Sequence, residues 1–143
     1  MDYDVTIIGG GPGGYVAAIR AAKLGHKVAI VEENHLGGVC LNWGCIPTKS
    51  LLYNAHVLDL IKNSKKFGIE IPSYKVDWKK VIKRSRDVSN RLSKGIEFLM
   101  KKNKITYISA KGSLADKNSI LLSTKEMITS KFIILATGGR SKE

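Results

Sequence analysis

A short apolar stretch that runs directly into three consecutive glycines limits the folds open to this chain. Residues 3–8 (YDVTII) have the length and β-branched character of a buried strand. Residues 9–25 (GGGPGGYVAAIRAAKLG) begin as a glycine loop and continue as an alanine-rich helix, with Gly25 placed just after its end. A second buried-looking strand, HKVAIVEE, follows at residues 26–33. The order strand, glycine loop, helix, strand predicts an α/β fold built on parallel strands.

The glycine loop has the spacing of a dinucleotide-binding motif. Gly9, Gly11 and Gly14 fit G-x-G-x-x-G, in which the first allows a tight turn, the second admits a pyrophosphate and the third permits close helix packing. Glu32 and Glu33 end the second strand, where a carboxylate suits hydrogen bonding to ribose hydroxyls. The sequence therefore predicts a Rossmann-like domain, but this motif alone does not choose between NAD and FAD.

Cys40 and Cys45 are the only cysteines in the chain. A disulfide needs Cα atoms within about 7 Å, so a bridge over this spacing would require a turn or a distorted first helical turn, for which Gly44 supplies freedom. Residues 46–48 (IPT) resemble a helix start, which places Cys45 near a helix N-terminus that favours a thiolate. A redox-active pair, a structural bridge and two unrelated thiols all remain open, and the first is favoured because structural bridges are rare in reducing compartments.

Two stretches carry a resemblance to a known family. LGGVCLNWGCIPTK at residues 36–49, here called the cysteine segment, resembles the active-site segment of the flavoprotein disulfide reductases, the class I pyridine nucleotide-disulfide oxidoreductases. KFIILATGG at residues 131–139 resembles their second FAD signature. The resemblance implies a redox-active disulfide in which Cys45 faces the flavin and Cys40 exchanges with substrate. The FAD-binding residues it implies, together with the glycine motif, are Gly9, Gly11, Pro12, Gly13, Gly14, Glu32, Glu33, Gly38, Lys49, Gly112, Ala136, Thr137 and Gly138.

The form of the cysteine segment also bears on substrate. Leu41 and Ile46 give CLNxGCIP, which is similar to the family members that oxidise dihydrolipoyl groups, whereas glutathione and mercuric reductases more often have CVNxGCVP. The resemblance implies a lipoyl-bearing protein or a small dithiol as substrate, with electrons passing to FAD and then to NAD⁺. After the second signature, Gly139 and Ser141 replace the more usual GSxP pattern, so the local turn is expected to differ.

The length of 143 residues suits one domain. We therefore expect residues 1–143 to form the FAD-binding domain alone, without the family's NAD-binding, central and dimer-interface domains. Such a chain is not expected to reduce NAD⁺ by itself, and a homodimer is expected only of the full-length protein. With no targeting segment and no membrane-spanning apolar run in view, the expected compartment is the cytoplasm, or the mitochondrial matrix in a eukaryote.

The remaining sequence predicts two more helices and a β-meander. The helix after the cysteines should continue to about residue 63, with its apolar face formed by Leu51, Leu52, Ala55, Leu58 and Ile61. A second helix should run from an Asp77 N-cap to about Lys102, with a buried stripe formed by Val81, Val88, Leu92, Ile96 and Leu99. Residues 105–114, 119–127 and 131–137 should form a small antiparallel meander that returns to the main sheet.

A strong positive charge supports an alternative function of another class. The net charge is +12, from 24 Lys and Arg against 12 Asp and Glu. Residues 75–104 contain eleven basic and three acidic residues, so a basic module that binds nucleic acid or an acidic partner is conceivable. Only Trp78 and Phe98 interleave aromatic rings, which favours a solvated face over nucleic-acid binding. His26, His35 and His56 lack ligand spacing, so no metal site is expected.

Overall fold

The computed structural model describes residues 1–139, which form four α-helices, one turn of 3₁₀ helix and six strands. Their bounds in chain order are β1 Tyr3–Ile8, α1 Pro12–Lys23, β2 Val28–Glu32, α2 Gly38–Asn42, α3 Cys45–Lys62, the 3₁₀ turn Ser64–Phe67, α4 Trp78–Lys102, β3 Thr106–Ser109, β4 Gly112–Leu114, β5 Ser119–Leu122 and β6 Met127–Leu135. Ser141, where the sequence departs from the usual GSxP pattern, lies outside the described residues. Within residues 1–139, no helix is both long and apolar enough to cross a membrane.

The strands form one six-stranded sheet in the order β3-β2-β1-β6-β5-β4. Strands β3, β2, β1 and β6 are parallel, whereas β4, β5 and β6 pair antiparallel. Ile7 on the central strand pairs with Ile30 on one side and Ile134 on the other. The predicted α/β, Rossmann-like fold with a parallel sheet and a small antiparallel meander is therefore confirmed.

The prediction for the meander was wrong in one strand. Residues 105–114 were expected to be its first strand, but they divide into β3 and β4. β3 pairs parallel with β2, with Ile30 opposite Tyr107, and becomes an edge strand of the main sheet. The sequence pattern could not distinguish these two uses because both require short apolar stretches, and only the partner strand decides the direction of pairing.

Helix α1 ends as its sequence predicts. Gly25 follows the C-cap residue Leu24 and has a φ of +89°, a conformation open to glycine at little cost. Its N–H donates to Ala22 O at 3.0 Å, and His26 N–H donates to Ala21 O at 3.2 Å. These two bonds are those of a Schellman motif, which satisfies carbonyls that the helix end would leave free.

The core lies on both faces of the neighbouring strands β1 and β2. On one face, Val5, Ile7, Val28 and Ile30 pack with residues of α1 and α4, among them Ala18, Ile96 and Met100. On the other face, Ile8 and Val31 pack with Ile120 and Leu122 of the antiparallel strand β5. Burial on both faces explains why β1 and β2 are continuously apolar in sequence.

Helix α4 begins with the predicted cap but buries a different stripe. The Asp77 carboxylate accepts a hydrogen bond from Lys80 N–H at 3.1 Å, as an N-cap should. The predicted residues Leu92 and Leu99 are 39% and 37% exposed. Ile96 is buried as predicted, and the other buried positions are Ser85, Ser89, Ser93 and Met100. Small serine side chains let α4 approach the cysteine segment closely. A search for apolar residues at helical spacing misses this face because serine counts as a polar residue.

The predicted apolar face of α3 is also not buried as a whole. Leu51 and Leu52 are 37% and 63% exposed, and Ala55 is exposed as well. Pro47 and Ser50, in the first turns of the helix, are its buried residues. Within residues 1–139, α3 packs on α2 and α4 near its N-terminal end, so its apolar positions further along have no cover.

Replacement of Gly14 by alanine tests the close contact between α1 and the glycine loop. A Cβ at Gly14 would overlap the Gly9 carbonyl oxygen, so α1 would have to move away from the sheet. We expect Gly14→Ala to lower the free energy of unfolding by about 1–3 kcal/mol in urea denaturation. Gly13→Ala is the matched control, because a Cβ there meets nothing within 4 Å. Equal stability of the two variants would contradict this packing.

Two carboxylates at the N-terminal end of β1, Asp2 and Asp4, make the stability of the fold depend on pH. Hydrogen bonds from the side chain of Lys131 and the backbone of Lys27 lower the pKa of Asp4, and hydrogen bonds from Thr129 lower the pKa of Asp2. Because folding lowers these pKa values, their stabilisation is present above the unfolded pKa of about 3.9 and is lost as pH falls through the folded pKa.

Asp4→Asn tests this acid dependence. The variant should lose less unfolding free energy than the wild type when pH falls below about 4, since it no longer has this carboxylate to protonate. The measurement is urea denaturation at a series of pH values. The wild type, measured over the same pH series, is the control. An Asp4→Asn slope equal to that of the control would refute the role of Asp4.

Candidate functional site

An open cleft of about 900 Å³ lies at the carboxyl ends of the parallel strands. The sheet continues from β1 to β2 on one side and to β6 on the other, and ligands of α/β sheets bind at such a reversal of strand order. The residues that line the cleft are Ile8, Gly9, Val31, Glu32, Glu33, Asn34, Val39, Ala110, Lys111, Gly112, Thr137, Gly138 and Gly139. The cleft therefore brings together the glycine loop, the acidic end of β2 and the residues after β6.

The glycine loop has the geometry that its spacing predicts. Gly9 has a φ of +109°, and a Cβ there would overlap the carbonyl oxygen of Ala136. Gly11 is the N-cap of α1, and the nearest atom to a Cβ there is the Gly38 Cα, at 3.8 Å. Gly9 thus makes the turn against the end of β6, while Gly11 lets the cysteine segment come close to the helix N-terminus. The N–H groups of Gly13 and Gly14 lie in the first turn, where no intrahelical acceptor exists.

Glu32 is held at the glycine loop by two backbone donors. One carboxylate oxygen accepts from Gly10 N–H and the other from Asn34 N–H, each at 2.8 Å. Gly10 was not among the predicted site residues. A Cβ there would lie 2.7 Å from Leu36 and 2.9 Å from Glu32, so the position is tightly packed. Its place between two motif glycines was the available signal. Glu33 is exposed and also lines the cleft.

The second FAD signature meets the glycine loop at the end of β6. Ala136 N–H donates to Ile8 O at 2.8 Å, which continues the pairing of β6 with β1 past the last strand residue. Thr137 and Gly138 then line the cleft beside Gly9. Gly112 lines it from β4, and a Cβ there would lie 3.1 Å from Val31. The structure therefore brings together residues that are more than 120 positions apart in sequence.

Cys40 and Cys45 form a disulfide, with their Cα atoms 4.7 Å apart. Cys40 lies in α2, a short helix that the sequence analysis did not predict, and Cys45 is the first residue of α3. The two helices meet at Trp43 and Gly44, which gives the turn that the spacing requires. Cys45 is exposed and Cys40 is half-buried.

The cysteine segment packs directly against the glycine loop. A Cβ at Gly38 would lie 2.8 Å from the Gly11 Cα, so the two backbones touch where neither has a side chain. Gly37 N–H also donates to Gly10 O at 2.8 Å. Val39, the neighbour of Cys40, lines the cleft. The disulfide is therefore carried by a segment that forms one wall of the cleft.

Asn42 fixes the turn of the cysteine segment, and sequence reasoning missed it. Its side-chain amide donates to Leu36 O at 3.2 Å and to Gly38 O at 2.9 Å, and the residue is only 7% exposed. Its position between the two cysteines was the available signal. Lys49 is exposed, one turn beyond Cys45 on α3, so its predicted place beside a flavin stays a prediction.

Several basic residues of α4 lie in a second groove, which shares no lining residue with the cleft. Lys80, Lys83, Arg84 and Arg91 line a groove of about 450 Å³ along this helix, together with Asp87 and Val88. Lys83 Nζ pairs with an Asp87 carboxylate oxygen at 2.6 Å, and both side chains are largely exposed. An exposed pair of this kind contributes little stability, so the groove is a charged surface and not a structural core.

Comparison with known proteins places this site in a family. A sequence model described as pyridine nucleotide-disulphide oxidoreductase matches residues 3–143. The dihydrolipoyl dehydrogenase of Zymomonas mobilis subsp. mobilis is 48% identical, over 99% of this chain and 31% of that protein. The dihydrolipoyl dehydrogenase of Rhizobium etli is 50% identical over 98% and 33%, and that of Bacillus subtilis is 42% identical over 97% and 31%.

The chain thus spans about a third of the length of the curated relatives it matches. The match covers both nucleotide signatures and the cysteine segment, and it confirms the resemblance found in the sequence. The chain therefore belongs to the pyridine nucleotide-disulphide oxidoreductase family.

Proposed function

We propose that this chain is the FAD-binding domain of a flavoprotein disulfide oxidoreductase of the dihydrolipoyl dehydrogenase type, with Cys40 and Cys45 as its redox-active pair. The observation that carries the proposal is the contact between the cysteine segment and the glycine loop at Gly38 and Gly11. This contact brings the disulfide to the wall of the cleft, and the glycine loop of that cleft suits a dinucleotide.

The residues present fit FAD. Gly11 and Gly13 leave the N-terminus of α1 free of side chains, so phosphates can approach its N–H groups and its positive dipole end. The fixed Glu32 carboxylate suits the ribose hydroxyls, with Glu33 beside it. The further residues proposed to hold FAD are Gly9, Pro12, Gly14, Gly38, Lys49, Gly112, Ala136, Thr137 and Gly138. When bound, FAD supplies the two-electron chemistry that links a dithiol to NAD⁺.

The protein's own part in this function is thiol-disulfide exchange. A dihydrolipoyl thiolate attacks Cys40 Sγ, which forms a mixed disulfide and releases Cys45 as a thiolate. The second substrate sulfur, after losing its proton, attacks the mixed disulfide and releases Cys40. The substrate leaves as a cyclic disulfide, and its two electrons remain on the cysteine pair.

The position of Cys45 supports its role as the flavin-facing sulfur, and the role of Cys40 rests on the family resemblance. Cys45 begins α3, where the helix dipole and free N–H groups stabilise a thiolate. Its greater exposure leaves a surface open for a cofactor to contact. Cys40 follows Val39 at the cleft wall and is half-buried.

The finer parts of the proposal concern the whole protein. We propose NAD⁺ as the final acceptor, a lipoyl-bearing protein or small dithiol as substrate, and a homodimer, with cytoplasm or mitochondrial matrix as the compartment. The similarity to dihydrolipoyl dehydrogenases supports the dihydrolipoyl substrate over a glutathione- or mercuric-reductase type. The basic groove of α4 favours a second candidate, a module that binds nucleic acid or an acidic partner.

Gly11→Val tests the FAD assignment by placing a branched side chain at the N-terminus of α1. We expect it to weaken FAD binding at least about tenfold, because a branched side chain would occupy the space that the phosphates need. Binding is measured by quenching of flavin fluorescence. Gly95→Ala, on the exposed side of α4 with nothing within 4 Å of a Cβ, should bind like the wild type. Equal affinity of Gly11→Val and wild type would count against the cleft as the site.

Cys45→Ser separates the redox proposal from the binding-module alternative. With FAD bound, dithiol titration of the wild type should produce a long-wavelength absorbance band from a thiolate beside the flavin. Cys45→Ser should keep the flavin and lose this band, whereas Cys40→Ser retains the Cys45 thiolate and should keep it. Salt-sensitive nucleic-acid affinity that neither substitution alters, in a protein without the band, would instead support the binding module.

A further inference from the structure

Helix α4 holds the cysteine segment through hydrogen bonds on both sides of the disulfide. Ser93 Oγ donates to Leu36 O at 2.9 Å, ahead of Cys40. Ser85 Oγ donates to Pro47 O at 3.5 Å, just after Cys45. The two serines are 8% and 2% exposed, so these contacts lie in the buried interface between the helix and the segment.

Arg86 contacts the backbone loop that the disulfide closes. Its Nη1 donates to the backbone carbonyl of Asn42 at 2.8 Å, and Asn42 lies between the two cysteines. The Asn42 side chain donates in turn to the carbonyls of Leu36 and Gly38. The Arg86 guanidinium therefore binds the backbone of a residue whose side chain already bonds to two carbonyls of the turn. A hydrogen bond from a charged donor is roughly twice as strong as one between neutral groups.

We propose that Arg86 is a positioning residue that keeps Cys40 and Cys45 at bridging distance when the pair is reduced. The inference rests on the proposed redox function of this pair. Once the disulfide opens, noncovalent contacts hold the turn. Within residues 1–139, Arg86 is the charged side chain that donates to a carbonyl between the two cysteines, whereas Arg84 donates to Ser50 further along α3. Holding the turn reduces the conformational freedom that is lost when the ring closes again, so it favours the disulfide.

The sequence gives no hint of this role. Arg86 is one of nine basic residues between Trp78 and Lys102, and composition alone groups it with a solvated face. The tertiary structure separates it from Arg91, which lines the outer groove of the same helix. This pair of arginines provides a matched comparison.

The experiment measures the redox equilibrium of the chain against dithiothreitol. In each mixture the Cys40 to Cys45 bond forms as the bond of oxidised dithiothreitol breaks, and two electrons and two protons pass to the reagent. Acid quenching, alkylation and mass spectrometry give the oxidised fraction. Arg86→Met should lower the equilibrium constant for disulfide formation about tenfold, the size expected for one charge-assisted hydrogen bond. Arg91→Met should stay within about twofold of the wild type.

The same measurement in urea separates positioning from a general loss of stability. In the unfolded chain, wild type and Arg86→Met should have equal constants, so that only the native-state constant changes. If Arg86→Met does not fold, Arg86→Gln provides the test, since it keeps a polar side chain but removes the charge from the donor to Asn42, and it should lower the native constant about threefold.

Native constants equal to wild type within about twofold, in whichever of the two variants folds, would overturn the role of Arg86 and leave the redox function standing. A wild-type chain that forms no disulfide in any dithiothreitol mixture would overturn the redox function and the inference together.

Discussion

The structure depends on backbone contacts that exist only because side chains are absent. Gly9 meets Ala136 at the end of β6, Gly14 meets Gly9 under the first turn of α1, and Gly38 meets Gly11. Each contact would be blocked by a single Cβ. Together they bring the glycine loop, the second signature and the cysteine segment to one place, which is how a cleft and a disulfide come to be neighbours.

The cysteine segment also needs support from behind, and α4 supplies it. An apolar helix face would pack against this segment but could not satisfy its carbonyls, since buried polar groups need hydrogen-bond partners. Serines at four-residue spacing are small enough for close approach, and two of them, Ser85 and Ser93, donate to the carbonyls of Pro47 and Leu36. The charged outer face of the same helix is a separate surface. One helix thus carries two unrelated surfaces, a fact hidden by its high overall charge.

Much of the site could be predicted because its chemistry is local in sequence. Turn, close approach and phosphate contact each demand glycine at a definite spacing, and the cysteines with Pro47 mark a helix start. Residues that act across the fold were missed. Gly10, Asn42 and Arg86 matter through their partners in other segments, and no spacing rule reports those partners.

The sequence by itself determined the central βαβ unit, the nucleotide motif, the helix starts at Asp77 and near Cys45, and the resemblance that led to the family. These follow from short-range rules of backbone freedom, capping and periodicity. Tertiary structure alone decided that β3 joins the main sheet, that serines and not leucines face the core from α4, and that most of the apolar face of α3 is uncovered within residues 1–139. Strand partners and helix burial depend on which distant surfaces meet, and that is a property of the whole fold.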